Sequence, residues 1–161
     1  MILRVTQNDR INIIIKWSEV LSMKDYYISL PDKFIFNLSL PIRISDINYG
    51  NHLGHDSLVS ILHEARMTFL KKNNFAEANE HFGLIMSALH VVYKNQAFYG
   101  DILNISIGVN EVSYISFELC YLVKKDEIEI ARAMTKMVCF DYLTQKVMKI
   151  PADLASLLKN Y

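Results

Sequence analysis

Between residues 46 and 64 the chain gathers side chains able to hold, polarise or deprotonate a small substrate: Asp46, Asn48, His52, Asp56 and Glu64. An imidazole titrates near neutral pH, so His52 could serve as a general base or orient a water. The Asn48 amide could hold that water or a carbonyl oxygen, but it cannot take a proton. Leu53, Gly54 and His55 lead directly into an apolar-periodic run. Backbone N–H groups at a helix start have no partners in a preceding turn, and the positive end of the helix dipole lies there. Such donors stabilise an oxygen that gains negative charge, and Gly54 would permit close approach. Asp56, in the first turn, suits a simple cap better than water activation, which stays open. Glu64 could reach a pocket from the helix flank, or pair at the surface with Arg66 or a neighbouring subunit. For Asp46 a bracing role through Asx-type hydrogen bonds is preferred. The spacing of His52, His55 and Asp56 matches no common closed metal set, so neither a metal nor another cofactor is expected.

These groups need elements to hold them. Residues 34–44 alternate, with Phe34, Phe36, Leu38, Leu40, Ile42 and Ile44 on one face, as a half-buried strand requires. Pro41 cannot donate to a ladder and places this strand near an edge. Leu58, Ile61, Leu62, Ala65 and Phe69 follow helical spacing and form one apolar stripe, closed by Lys71, Lys72, Asn73 and Asn74. Four strand-like runs follow. Residues 84–93 are apolar on both faces, the pattern of a strand covered on each side. Leu103, Ile105, Ile107 and Val109 alternate with polar neighbours, as do Phe117, Leu119, Tyr121 and Val123. In residues 129–141, Ala131, Ala133, Thr135, Met137 and Cys139 make a slim face against which a helix can pack closely. Residues 141–146 read as a turn, and Pro151 opens a short terminal helix. One strand, one long helix and four strands specify an α+β domain in which one helix lies on a curved antiparallel sheet.

The totals agree. A chain of 161 residues with 52% apolar and 21% charged residues can bury a sizeable core. Lys plus Arg equals Asp plus Glu at 17 each, so nothing in the balance points to nucleic acid. Cys120 and Cys139 lie in strand-like runs and suggest a reducing compartment, and no run is long enough for a membrane span. A cytoplasmic protein is the default. Residues 1–30 lack clean periodicity and stand as an N-terminal extension of uncertain status, with Met23 an alternative start. A real element capping the domain is an equal reading. Residues 31–161 form the single domain.

The segment SDINYGNHLGHDSLVSILHEAR, residues 45–66, resembles the loop and helix of hotdog-fold thioesterases of the 4-hydroxybenzoyl-CoA thioesterase type. Ser45, Asp46, His52, Glu64, Ala65 and Arg66 match that family's pattern. Tyr99-Gly100-Asp101, Ser116-Phe117 and the ending around Ile150-Pro151 extend the likeness over residues 34–158. It implies a hotdog fold, one long central helix wrapped by a curved, mainly antiparallel sheet. It also implies a homodimer or dimer of dimers, and hydrolysis of an acyl-CoA or acyl-carrier-protein thioester. The carbonyl would then be polarised at Leu53, Gly54 and His55, with the catalytic groups among Asn48, His52, Asp56 and Glu64.

One departure matters: the family's second loop Asp is Asn48 here, so its usual nucleophile or base is missing. A non-catalytic hotdog binding acyl thioesters is therefore the alternative. A hotdog hydratase would carry its His five residues after the Asp, with a Pro between. Here His52 comes six after Asp46 and the Pro is absent.

Overall fold

The computed structural model describes residues 27–159. Most of the 1–30 segment thus lies outside the described residues. The elements are β1 (Phe36–Pro41), a 3-10 turn (Ile44–Asp46), α1 (His55–Lys72), β2 (Phe82–Tyr93), β3 (Ile102–Val112), β4 (Ser116–Lys125), β5 (Ile128–Asp141), β6 (Lys146–Val147) and α2 (Ala152–Lys159). Strand order is β1-β3-β4-β5-β2, with β6 beside the end of β5, and every pairing is antiparallel. This is the α+β arrangement expected. Among the described residues no helix is long and apolar enough to cross a membrane.

The helix stripe works as its spacing requires. Leu58, Ile61, Leu62, Ala65 and Phe69 are buried in one cluster with Leu103, Ile105, Leu119, Tyr121 and the slim face of β5. Each large side chain buried there contributes about 1.5–3 kcal/mol. Ala131 and Ala133 are fully buried, and their small volume lets the helix approach the strand. The eighteen-residue α1 ends where Asn73 Nδ2 donates to the Phe69 carbonyl at 2.8 Å and Asn74 takes a φ of 62°. Left-handed backbone of that kind suits Asn.

Three features depart from the sequence pattern. Ile44 was placed on the apolar face of the first strand, yet it is 71% exposed. The strand ends at Pro41, an edge position as expected, because the Arg43–Asp46 capping box turns the chain into the 3-10 segment. On β2, Ile85, Met86, Leu89 and Tyr93 are 38–43% exposed. The strand lies at the free edge beyond β5, so the cover its apolarity demands is not given within one chain. The short β6 has no signal of its own: two residues pair with Phe140 and Asp141 after the turn.

The last residues of the N-terminal segment pack on the sheet face opposite α1. Ile28 is buried and its carbonyl accepts from Arg132 Nη1 at 3.4 Å. Pro31 occupies the space above Gly108 that a Cβ would fill.

Candidate active site

The polar loop folds as a small closed turn. Ile47 and Leu53 form an antiparallel bridge, Asn48 N donates to the His52 carbonyl at 2.9 Å, and Asn51 N donates to the Asn48 carbonyl at 3.0 Å. Asn51 takes the left-handed φ of 60° that this reversal needs, and Tyr49 stands fully exposed at the tip.

Asp46 anchors the turn. Its carboxylate accepts from Arg43 N at 2.8 Å, Arg43 Nε at 3.2 Å and Arg43 Nη2 at 3.1 Å, while its carbonyl accepts from Gly54 N at 2.9 Å. Burial opposes its charge, but the Arg43 hydrogen bonds outweigh that and hold the carboxyl below its usual value. Each oxygen is engaged inside the loop.

Asn48 and His52 meet at the base of the turn. Asn48 Oδ1 accepts from Gly50 N at 2.8 Å, which aims its Nδ2 at His52 Nδ1, 3.3 Å away. The same ring nitrogen lies 3.1 Å from the Leu53 carbonyl. Asn48 would have Nδ1 accept, whereas the carbonyl would have it donate; in the second tautomer Nε2 keeps its lone pair and can take a proton.

Of the three expected carbonyl-polarising donors, two are already engaged. Leu53 N donates to the Ala97 carbonyl at 2.8 Å and Gly54 N to the Asp46 carbonyl at 2.9 Å. These bonds fasten the loop to its neighbours, and they correct the donor set. His55, Asp56 and Ser57 form the first turn, where Leu58 N is the first to reach back, to Gly54. The N–H groups of that first turn have no acceptor among the described residues, as the geometry of a helix start dictates.

Asp56 stands over these donors. A Cβ on Gly54 would lie 2.5 Å from its Oδ1. The Asp56 carboxylate is exposed in the first turn of α1, where its charge suits the positive end of the helix dipole. Tyr93, on β2, completes the group: its hydroxyl donates to the His55 carbonyl at 3.3 Å. Burial, and then the negative charge of Asp56, push the Tyr93 hydroxyl upward, so it remains a neutral donor. No local signal in the sequence marks Tyr93 for this contact, since nothing there reveals that β2 passes the start of α1.

Glu64 is held apart. It lies two turns along the helix on the flank where it acts on Arg43, away from the side bearing Asp56, Val59 and His63. Arg66 does not pair with it. Arg66 is buried and donates from Nε and Nη2 to Glu77 Oε1 at 3.0 and 2.7 Å, while His63 Nε2 lies 3.1 Å from Glu77 Oε2. Glu77 sits in an aperiodic loop and carries no sequence signal.

Cations on and beside the sheet have partners within the chain: Lys94 and Arg132 with Glu129, Lys124 with Glu127, and Lys125 with Asp101. Among the described residues no three His, Cys, Asp or Glu converge as for a metal.

Residues 42–158 match the model of the thioesterase-like superfamily. A 1,4-dihydroxy-2-naphthoyl-CoA hydrolase of Nostoc punctiforme is 24% identical over 131 residues, covering 78% of this chain and 87% of the relative. A 1,4-dihydroxy-2-naphthoyl-CoA thioesterase from Synechocystis shares the fold with a TM-score of 0.72 at 19% identity, over 76% of this chain and 94% of that one. A Staphylococcus aureus protein solved in complex with CoA gives 0.74 at 14% identity, over 84% and 87%. The helix on its antiparallel sheet is the hotdog arrangement of such neighbours. With the family model matched across nearly all the described residues, this chain belongs to the thioesterase-like superfamily.

Proposed function

We propose that this protein hydrolyses the thioester of an acyl-CoA, with an acyl carrier protein as the other carrier to test. The observation that carries this reading is the row of unpaired N–H groups in the first turn of α1 with the Asp56 carboxylate standing beside it. A thioester oxygen docked at His55–Ser57 gains charge as water attacks, where the donors and the helix dipole are strongest. Asp56 takes a proton from the water, the water oxygen bonds to the carbonyl carbon, and the C–O π electrons move to the oxygen. When the C–S bond breaks, the thiolate leaves with that proton. Tyr93 steadies the first turn through the His55 carbonyl. Asn48 and His52 shape the loop, and His52 Nε2 is the second candidate base. The Nostoc and Synechocystis proteins are both named for a CoA thioester, which supports CoA as carrier.

The protein acts as a homodimer in this reading. β2 is a twelve-residue strand at the sheet edge with apolar side chains exposed, and such an edge is stable when paired. A second copy would place its own β2 beside the first. The free, buried Cys120 and Cys139 suit a cytoplasmic location.

The test is thiol release from acyl-CoAs and from acyl carrier protein, with wild type beside Asp56→Asn, His52→Ala and Glu64→Gln. Loss of a general base lowers turnover by about 10²–10⁴-fold, expected for Asp56→Asn, whereas Glu64→Gln stays near wild type. Saturable binding of acyl-CoA without turnover of any thioester would instead favour a binding protein.

A further inference from the structure

Cys120 and Arg132 point away from α1. They alternate with residues of the core under the helix, Leu119 and Tyr121 on β4 and Ala131 and Ala133 on β5, so their side chains lie on the outer sheet face. Cys120 is nevertheless fully buried, and Val92, paired with Arg132 from β2, is 9% exposed. Among the described residues, the cover over Cys120 comes from the start of the chain. The Ile28 carbonyl accepts from Arg132 Nη1 at 3.4 Å on β5, and the Ser29 carbonyl from Cys120 Sγ at 3.6 Å on β4. Pro31 then sits over Gly108 on β3. Two strand spacings amount to about 9.6 Å, a span that three extended residues cover at about 3.3 Å each. Residues 28–31 therefore cross the strands as a straight strap. Ile35 N, donating to the Ile107 carbonyl at 2.7 Å, hands the chain on to β1.

The strap is fitted most closely at one point. A Cβ on Gly108 would collide with Pro31 Cγ and lie 3.0 Å from the Lys33 carbonyl. Glycine weakens the interior of a strand, so its place at 108 serves the close approach of another backbone.

We propose that this strap closes the outer sheet face to a second copy, so that the protein stops at a dimer and does not stack sheet on sheet into a dimer of dimers. The dimer itself rests on the edge-strand reading above. Packed sheets stand about 10 Å apart with their side chains interdigitated. A chain laid across the strands occupies that layer, and its exposed Ser29, Asp32 and Lys33 give it a polar exterior. Lifting the strap uncovers Cys120 and Gly108 near Val92 and Met134, and contiguous apolar surface of that kind drives association.

The experiment follows the Cys120 thiol and the mass of the full chain together. Burial pushes the Cys120 thiol up to about 11, so its labelling by a thiol reagent reports opening of the strap. Cys139 lies in the core under α1 and serves as the internal reference. In wild type both thiols should label slowly, and sedimentation should show nothing heavier than a dimer as concentration rises. Gly108→Ala should label Cys120 about 5–150-fold faster by overpacking the strap's seat, with Cys139 unchanged. Gly108→Ala/Pro31→Ala removes the colliding ring and should restore most of the protection. Ile28→Lys/Gly108→Ala sets a second cation near Arg132, and should open the strap outright and sediment as a species heavier than the dimer. Three results would each overturn the proposal: wild-type Cys120 labelled as fast as in Gly108→Ala, a labelled Ile28→Lys/Gly108→Ala that stays at dimer mass, or a wild-type tetramer that Met134→Glu on the outer face dissociates. A wild-type monomer with Cys120 protected would sink the edge-strand dimer alone.

Discussion

Gly54→Ala should raise stability and lower activity in one substitution. Gly54 has φ −67° and ψ 145°, backbone that alanine adopts without strain, so the change removes unfolded-state freedom at no conformational cost. Substitutions of this type stabilise by about 0.4–1 kcal/mol, or roughly 1–4 °C in Tm for a chain of this size. The new Cβ lies 3.4 Å from Ser57 Oγ and 3.5 Å from the Asp46 carbonyl, both ordinary contacts, but 2.5 Å from Asp56 Oδ1. That carboxylate is the end of a rotatable side chain and yields by roughly an ångström, the scale of misplacement that costs about 10²-fold in rate. Thermal unfolding followed by circular dichroism gives the first quantity, and thiol release at saturating acyl-CoA gives the second. A higher Tm with wild-type kcat would refute the argument, because the Asp56 carboxylate could then move freely without consequence. A lower Tm would show instead that the loop, not the side chain, had given way.

Further outcomes follow from individual contacts. Asp46 has its folded pKa depressed by Arg43, so its contribution is full above the unfolded carboxyl value of about 3.9 and is lost as pH falls through the lower folded value. Asp46→Asn should therefore flatten the acid limb of a urea-midpoint profile below about pH 4; an unchanged limb would contradict this. Arg66→Met leaves Glu77 with His63 alone, and since the Glu77 side chain keeps 20% of its exposure the loss should be about 1.5–3 kcal/mol. Arg66→Met/Glu77→Gln should recover most of it in a urea-denaturation cycle, and an additive double variant would show the pair to be uncoupled. Leu89→Lys, on the exposed edge strand, should shift the chain toward monomer by analytical ultracentrifugation. A dimer that persists would move the interface elsewhere.

What the sequence determined by itself was largely periodic. The stripe of α1 and the alternation of β3, β4 and β5 are local repeats that face a core wherever the chain folds, because one face of each must leave water. Pro41 marked an edge, and the Asn residues after Lys72 marked the helix end, for equally local reasons. The polar loop was legible as a candidate site from residue types alone. Tertiary structure decided how its members divide. Leu53 and Gly54 spend their N–H groups on Ala97 and Asp46, a choice made by segments distant in sequence or by the turn between them. Asp56 and Glu64 are both acids on one helix, yet only the rotation of the helix against β2 sets which of them meets Tyr93. Thr135 read as one slim residue among five. Its hydroxyl met the Tyr121 hydroxyl, 3.2 Å away, only when folding set β4 beside β5, because a hydrogen bond belongs to an assembled pair of partners and not to either residue alone.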